Sequence, residues 1–277
     1  MTANESVRIF LMLTHAILSP HPPALIPAVG KESLRRFEKT VNALLSIALE
    51  LRENPPDTFI ILSPHGEIQA NSFTIQIPHS ENFTADFAEF SAPEVVKTYT
   101  RDRLLSAQIV EAATSKGLQI QPTTGEKLDF GVSVPLYYFA AAFPQAQVVS
   151  LGISLASSTT HFELGKILRE VADEAEKNIV FIASSELAHT LNKFSPHGYS
   201  PLAKEWDSRI VADLKAGDFT SILLYDSLER EEIAECGYRG ICTLAGVIHE
   251  KPAKHQILSY EAPGGIGCAV GVWDLRS

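Results

Sequence analysis

Ile17-Leu18-Ser19-Pro20-His21 and Ile61-Leu62-Ser63-Pro64-His65 are one pentapeptide used twice. Each closes an apolar run. Ile9-Phe10-Leu11-Met12-Leu13 leads to the first copy and Thr58-Phe59-Ile60-Ile61-Leu62 to the second. Such runs read as strands buried on both faces, the pattern of a parallel sheet. Proline then ends the ladder, because it has no N–H to give and a fixed φ. Each histidine is therefore expected just past the carboxyl end of a strand. In open α/β sheets that edge is where ligands bind. One Ser-Pro-His turn alone reads as an ordinary strand stop. Two imidazoles delivered to the same edge by matching units point to a metal site.

Outward from the repeat, strand-like and helix-like patterns alternate along the chain. Strands are predicted at 7–13, 59–62, 73–77, 148–151, 179–183, 256–260 and 268–273. Helices are predicted at 31–52, 101–116, 131–142, 161–177, 202–215 and 238–250. The helix at 31–52 places Leu34, Phe37, Val41, Leu44, Leu45, Ala48 and Leu51 on a period near 3.6. Those at 101–116 and 202–215 end at Gly117 and Gly217, a C-cap signal. Thr159 or Thr160 is the expected N-cap of the next helix. No linker rich in Pro, Gly or Ser divides the chain. The expected architecture is one α/β domain over residues 1–277, with a central mixed sheet and helices on both faces.

Composition narrows the function. A net charge of −10 argues against nucleic acids and anionic membranes, which need basic patches. No apolar stretch reaches a bilayer span. Met1-Thr2-Ala3-Asn4-Glu5 lacks the basic start of a signal peptide. Cys236, Cys242 and Cys268 form no CxxC and are odd in number, so neither a disulfide framework nor a zinc finger is expected. A reducing cytoplasm is the natural compartment.

Nine histidines are present, and most must be ordinary. His189 joins His21 and His65 as a candidate, because it follows the strand at 179–183 and a polar turn, Ser184-Ser185-Glu186. His15 falls within a strand-like run and reads as structural. His197, in Ser195-Pro196-His197-Gly198-Tyr199, is a substrate-loop candidate. Two imidazoles need a further ligand. A carboxylate would complete the two-histidine, one-carboxylate facial triad of non-haem Fe(II) oxygenases. Glu235 is the preferred carboxylate, with Glu67 and Asp129 as rivals, although Asp129 also suits an N-cap. Cys236 is a soft alternative that favours copper or zinc. Gly264-Gly265-Ile266-Gly267 lacks dinucleotide-binding spacing and reads as a turn.

Five segments in order carry a family resemblance: Ser19-Pro20-His21-Pro22-Pro23, Leu62-Ser63-Pro64-His65-Gly66, Leu128 to Leu136 (LDFGVSVPL), Ser185-Glu186-Leu187-Ala188-His189 and Glu235-Cys236-Gly237-Tyr238-Arg239. Together they resemble the class III extradiol ring-cleavage dioxygenase superfamily, in the branch of the Memo-like proteins and the B component of the AmmeMemoRadiSam system. The resemblance implies His21, His65 and Glu235 as iron ligands and His189 as catalytic base. It also implies Fe(II) as cofactor, with zinc or copper as alternatives. The implied partners are O₂ and a small aromatic substrate, often with a dimeric assembly. Asp129, Phe130, His197 and Tyr238 are the expected substrate contacts. Two departures stand out. Phe130 replaces a histidine common in catalytic relatives, and Glu235 and Cys236 are adjacent, so the sequence leaves open which one faces the metal. The expected function is Fe(II)-dependent cleavage of a catechol-type ring with O₂. The alternatives are a Memo-like metal protein without ring cleavage, with a redox or interaction role, and a metal-dependent hydrolase.

Overall fold

The computed structural model describes residues 12–251 and 253–276. Ten strands are formed among the described residues. They are β1 (Leu13–Ser19), β2 (Thr58–Ser63), β3 (Phe73–Gln76), β4 (Asn82–Phe87), β5 (Ala92–Thr100), β6 (Ile120–Thr123), β7 (Gln147–Gly152), β8 (Ile179–Ser184), β9 (Lys254–Glu261) and β10 (Cys268–Asp274). The helices are α1 (Pro27–Gly30), α2 (Glu38–Glu50), α3 (Arg103–Ser115), α4 (Phe130–Phe139), α5 (Ser158–Glu174), α6 (Leu202–Ala216), α7 (Phe219–Ile222), α8 (Ser227–Glu232) and α9 (Tyr238–Ile248).

Eight strands make one sheet in the order β6-β3-β7-β2-β8-β1-β10-β9, and β4 and β5 pair separately. The central run β7-β2-β8-β1 is parallel. β10 and β9 add antiparallel strands on one flank. On the other, β3 pairs antiparallel to β7 and parallel to β6. The sheet is therefore mixed, with the apolar runs in its doubly covered middle. Alternation divides their side chains between two cores. Ala16, Leu18, Ile60, Leu62 and Phe181 face the core that includes residues of α3, α5, α6 and α9. Ile17, Phe59, Ile61, Val180 and Ile182 face the core built with α2 and α4. α5 and α9 approach closely because a Cβ at Gly246 would lie 1.9 Å from the Phe162 carbonyl oxygen. No helix among the described residues is long and apolar enough to cross a membrane.

Several boundaries differ from the sequence reading. The strand predicted at 7–13 lies almost wholly outside the described residues. The observed β1 begins at Leu13 and contains Ile17, Leu18 and Ser19, so the first half of the pentapeptide is itself strand. The helix predicted at 31–52 starts as a 3₁₀ segment over Lys31–Phe37 and becomes α-helical only at Glu38. α5 is capped by Ser157, whose side chain accepts from the Thr160 N–H, rather than by a threonine. The β4–β5 hairpin was not predicted: β4 alternates, with Phe83, Ala85 and Phe87 buried, but most of β5 is exposed without a period of two.

His15 is buried inside β1 opposite Asp274, as a structural histidine. Its Nε2 lies 3.5 Å from Glu50. Arg276 reaches Asp274 at 2.8 Å and Glu50 at 3.7 Å, so this cluster is an ion-pair network. Burial, helped by Arg276, holds the His15 imidazole down to about 4. The unfolded chain takes up that proton near pH 6.5. The neutral histidine thus contributes full stability above about pH 6.5, and the contribution is lost as pH falls towards 4. Chemical denaturation across this window is expected to show a loss of up to about 3 kcal/mol from this group. The loss should be smaller in His15→Gln. An identical pH profile in that variant would show that His15 does not titrate on unfolding.

Candidate metal centre

β1 and β2 lie on either side of β8, so the two Ser-Pro-His turns flank the chain leaving β8. That chain runs through Ser184, Ser185 and Glu186 to His189. Three segments therefore meet at the carboxyl edge of the parallel strands. His21 Nε2 and His65 Nε2 are 2.9 Å apart, with the rings edge to face. Cys236 Sγ is 3.6 Å from His21 Nε2. The donor atoms of His21, His65 and Cys236 all lie within 4.8 Å of one another. Glu186, His189 and Cys236 form a second such group that shares the sulfur. Glu186 Oε2 stands 2.9 Å from His189 Nε2 and 3.8 Å from His21 Nε2.

The electrostatics suit a cation. Burial pushes His21 below its usual range, against the opposing charge of Glu186. Burial and the neighbouring His21 hold His65 down to about 4. Both imidazoles are thus neutral near pH 7, the form that ligates metals. Burial, then the charge of Glu186, pushes the Cys236 thiol well up. A thiolate here needs a positive partner, and a bound cation supplies one. The separations also fit, since one ion takes nitrogen at about 2.0–2.1 Å and sulfur at about 2.3 Å. The donor set therefore fits a metal ion. Burial opposes charge on His189, but the hydrogen bond and charge of Glu186 outweigh it and raise the imidazole. His189 Nδ1 also lies 2.9 Å from the Leu187 carbonyl oxygen, so both ring nitrogens face acceptors.

Two expected site residues lie elsewhere. Glu235 is not among the clustered donors. Its Oε2 accepts the Tyr238 N–H at 2.6 Å, and its Oε1 lies 3.6 Å from Arg230. Cys236 takes the place beside the imidazoles. The two side chains are adjacent and leave the backbone in different directions; the residue before them, Ala234, adopts a left-handed φ of 53°. Tyr238 is a core residue whose hydroxyl donates to the Ile222 carbonyl oxygen. His197 is exposed, with its ring 5.9 Å from that of His189. Glu186 was not singled out in the sequence; its only signal was its place in the polar turn after β8.

Phe130 stacks on His65 at 4.2 Å and meets His21 edge-on at 5.8 Å. Beyond it opens a cleft of about 690 Å³, lined by His65, Glu67, Gln76, Lys127, Asp129 and Phe130 among others. Of the clustered donors only His65 reaches this cleft, so Phe130 stands between the open space and the metal-type cluster. Asp129 caps α4 by accepting the Val132 N–H.

This is an α/β protein with a candidate metal centre at its sheet edge. Residues 15–271 match the family described as the catalytic LigB subunit of aromatic ring-opening dioxygenase, and the chain belongs to that family. A protein of Clostridium acetobutylicum is 29% identical over 262 residues, covering 91% of this chain and 56% of that protein. The chain thus spans little more than half of that relative. A MEMO1 family protein of Thermococcus onnurineus is 25% identical over 239 residues, 78% of this chain and 74% of that one. One from Methanosarcina barkeri is 23% identical over 244 residues, with 80% and 87% covered. An uncharacterized Escherichia coli K12 protein shares the fold, at a TM-score of 0.62 and 16% identity, over 93% of this chain and 99% of that one.

Proposed function

We propose that this chain is a redox metal protein of the ring-opening dioxygenase superfamily, with one ion held by His21, His65 and Cys236. The observation that carries this reading is the sulfur of Cys236 beside the imidazoles, where the sequence suggested a carboxylate. A thiolate with imidazoles suits copper or zinc, whereas a carboxylate suits iron. Bound there, a redox-active ion supplies electron transfer and lowers the pKa of a coordinated hydroxyl. The protein's own groups do the rest. Glu186 and His189 hold a proton between Oε2 and Nε2, within reach of the donor cluster. Phe130 stands between the cleft and the donors behind His65. The cleft suits a small polar organic molecule.

Fe(II)-dependent opening of a catechol ring is the second reading. It is favoured by the family match and by the place of His189, the expected base, beside the cluster. Anaerobic loading with Fe(II), Cu(I) or Zn(II), then O₂ and a panel of catechols, separates the two. One tightly held ion without ring-fission product is expected. A coloured ring-fission product with Fe(II) alone would replace the first reading by the second. Under either reading His189→Ala is expected to retain its ion within a few-fold. Any turnover found should fall by roughly 10²–10⁴-fold, the usual worth of acid–base catalysis. Loss of the ion in this variant would make His189 a ligand.

A further inference from the structure

Three serines end three neighbouring strands in one register. Ser19 of β1 stands opposite Ser184 of β8. Leu62 of β2 stands opposite Ala183, which brings Ser63 to the other side of Ser184. All three serines are buried. By alternation they share the face of Ile17, Ile61 and Ile182, which α4 covers.

Ser184 Oγ lies 2.5 Å from the Gly131 carbonyl oxygen and 2.8 Å from His21 Nδ1. A hydroxyl has one proton to give, and a carbonyl has none. The Ser184 proton therefore goes to Gly131, and His21 must donate Nδ1–H to Ser184. That leaves Nε2 as the lone-pair nitrogen, the one that faces His65 and Cys236. On the other side, Ser63 Oγ donates to Asp129 Oδ1 at 2.6 Å and accepts the His65 backbone N–H at 3.1 Å. Asp129 and Gly131 flank Phe130, whose ring lies on His65. One turn of chain at the start of α4 thus anchors the His21 imidazole and the His65 backbone through two serines. The crowding is tight, since a Cβ on Gly131 would lie 2.3 Å from Ser63 Oγ.

We propose that Ser184 is the positioning residue of the metal centre. Tied to the Gly131 carbonyl, its hydroxyl fixes His21 as the Nδ1–H tautomer and presents the Nε2 lone pair to the ion. Ser63 and Asp129 set the backbone of His65 in the same frame. The consequence for affinity rests on the metal-site reading above; the tautomer does not.

Long-range ¹⁵N–¹H correlation spectra of the metal-free protein read the tautomer directly. Wild type is expected to show His21 protonated on Nδ1. Ser184→Ala is expected to populate the Nε2–H form and to weaken Zn(II), measured against a chromophoric chelator, by about 10–100-fold. Ser184→Thr keeps the hydroxyl and is expected to restore both. Should the alanine variant misfold, the wild-type spectrum still decides, because an Nε2–H His21 there overturns the proposal. So does a Ser184→Ala spectrum that keeps Nδ1–H together with unchanged Zn(II) affinity. A Ser184-dependent tautomer in a protein that takes up none of Zn(II), Cu(I) or Fe(II) supports the hydroxyl's role and overturns the metal reading alone.

Discussion

Cys236→Ser is expected to weaken metal binding by roughly 100-fold or more, beyond the about 10–100-fold typical of outer-shell changes. The sulfur lies 3.6 Å from His21 Nε2. Serine is nearly isosteric but offers a hard hydroxyl that stays protonated near pH 7, where a soft ion favours thiolate. Cys236 also lies 3.9 Å from the Glu186 carbonyl oxygen, and serine fills the same space, so the fold should hold. Chelator competition on wild type and variant measures the change. Equal affinities would remove the thiol from the site and return attention to a carboxylate.

Glu235→Ala is expected to act on stability, with a loss of about 3–5 kcal/mol, the range for breaking a buried ion pair. The Glu235 side chain is 4% exposed and that of Arg230 16%. Removing the carboxylate strands the guanidinium over the Tyr238 ring, 4.1 Å away, with no anion opposite. It also takes the acceptor from the Tyr238 N–H at the start of α9. Urea denaturation should show the loss. Arg230→Met added to Glu235→Ala should recover part of it, because the stranded charge is then gone. The folded fraction is expected to bind one ion as tightly as wild type. A stable Glu235→Ala protein that has lost its ion would assign the carboxylate to the metal after all.

The repeated pentapeptide made the site's position legible. Proline stops two parallel strands at the same level, and the sheet order then brings His21 and His65 together across β8. The polar turn after β8 placed His189 correctly at that edge. Phe130 was expected near the site and lies on His65. The choice between Glu235 and Cys236 was not legible, because adjacent side chains point different ways and the course of this loop, with Ala234 at φ 53°, is not readable from the residues. No residue type at 234 signals that turn, as glycine or asparagine would. Tyr238 begins α9, and its ring packs into the core instead of facing a substrate. The serine row was written in the sequence, in both copies of ILSPH and in the Ile-Ala-Ser that ends β8. Its meaning needed the register of three strands, which no local pattern carries. The β4–β5 hairpin was missed although β4 alternates, with Phe83, Ala85 and Phe87 buried, because its partner β5 is mostly exposed and shows no matching period.

X-ray absorption at the metal edge of the loaded protein tests the central claim most directly. The account predicts two imidazole nitrogens at about 2.0–2.1 Å and one sulfur at about 2.3 Å, with the sulfur lost in Cys236→Ser. A first shell of nitrogen and oxygen alone, unchanged by that substitution, would contradict it.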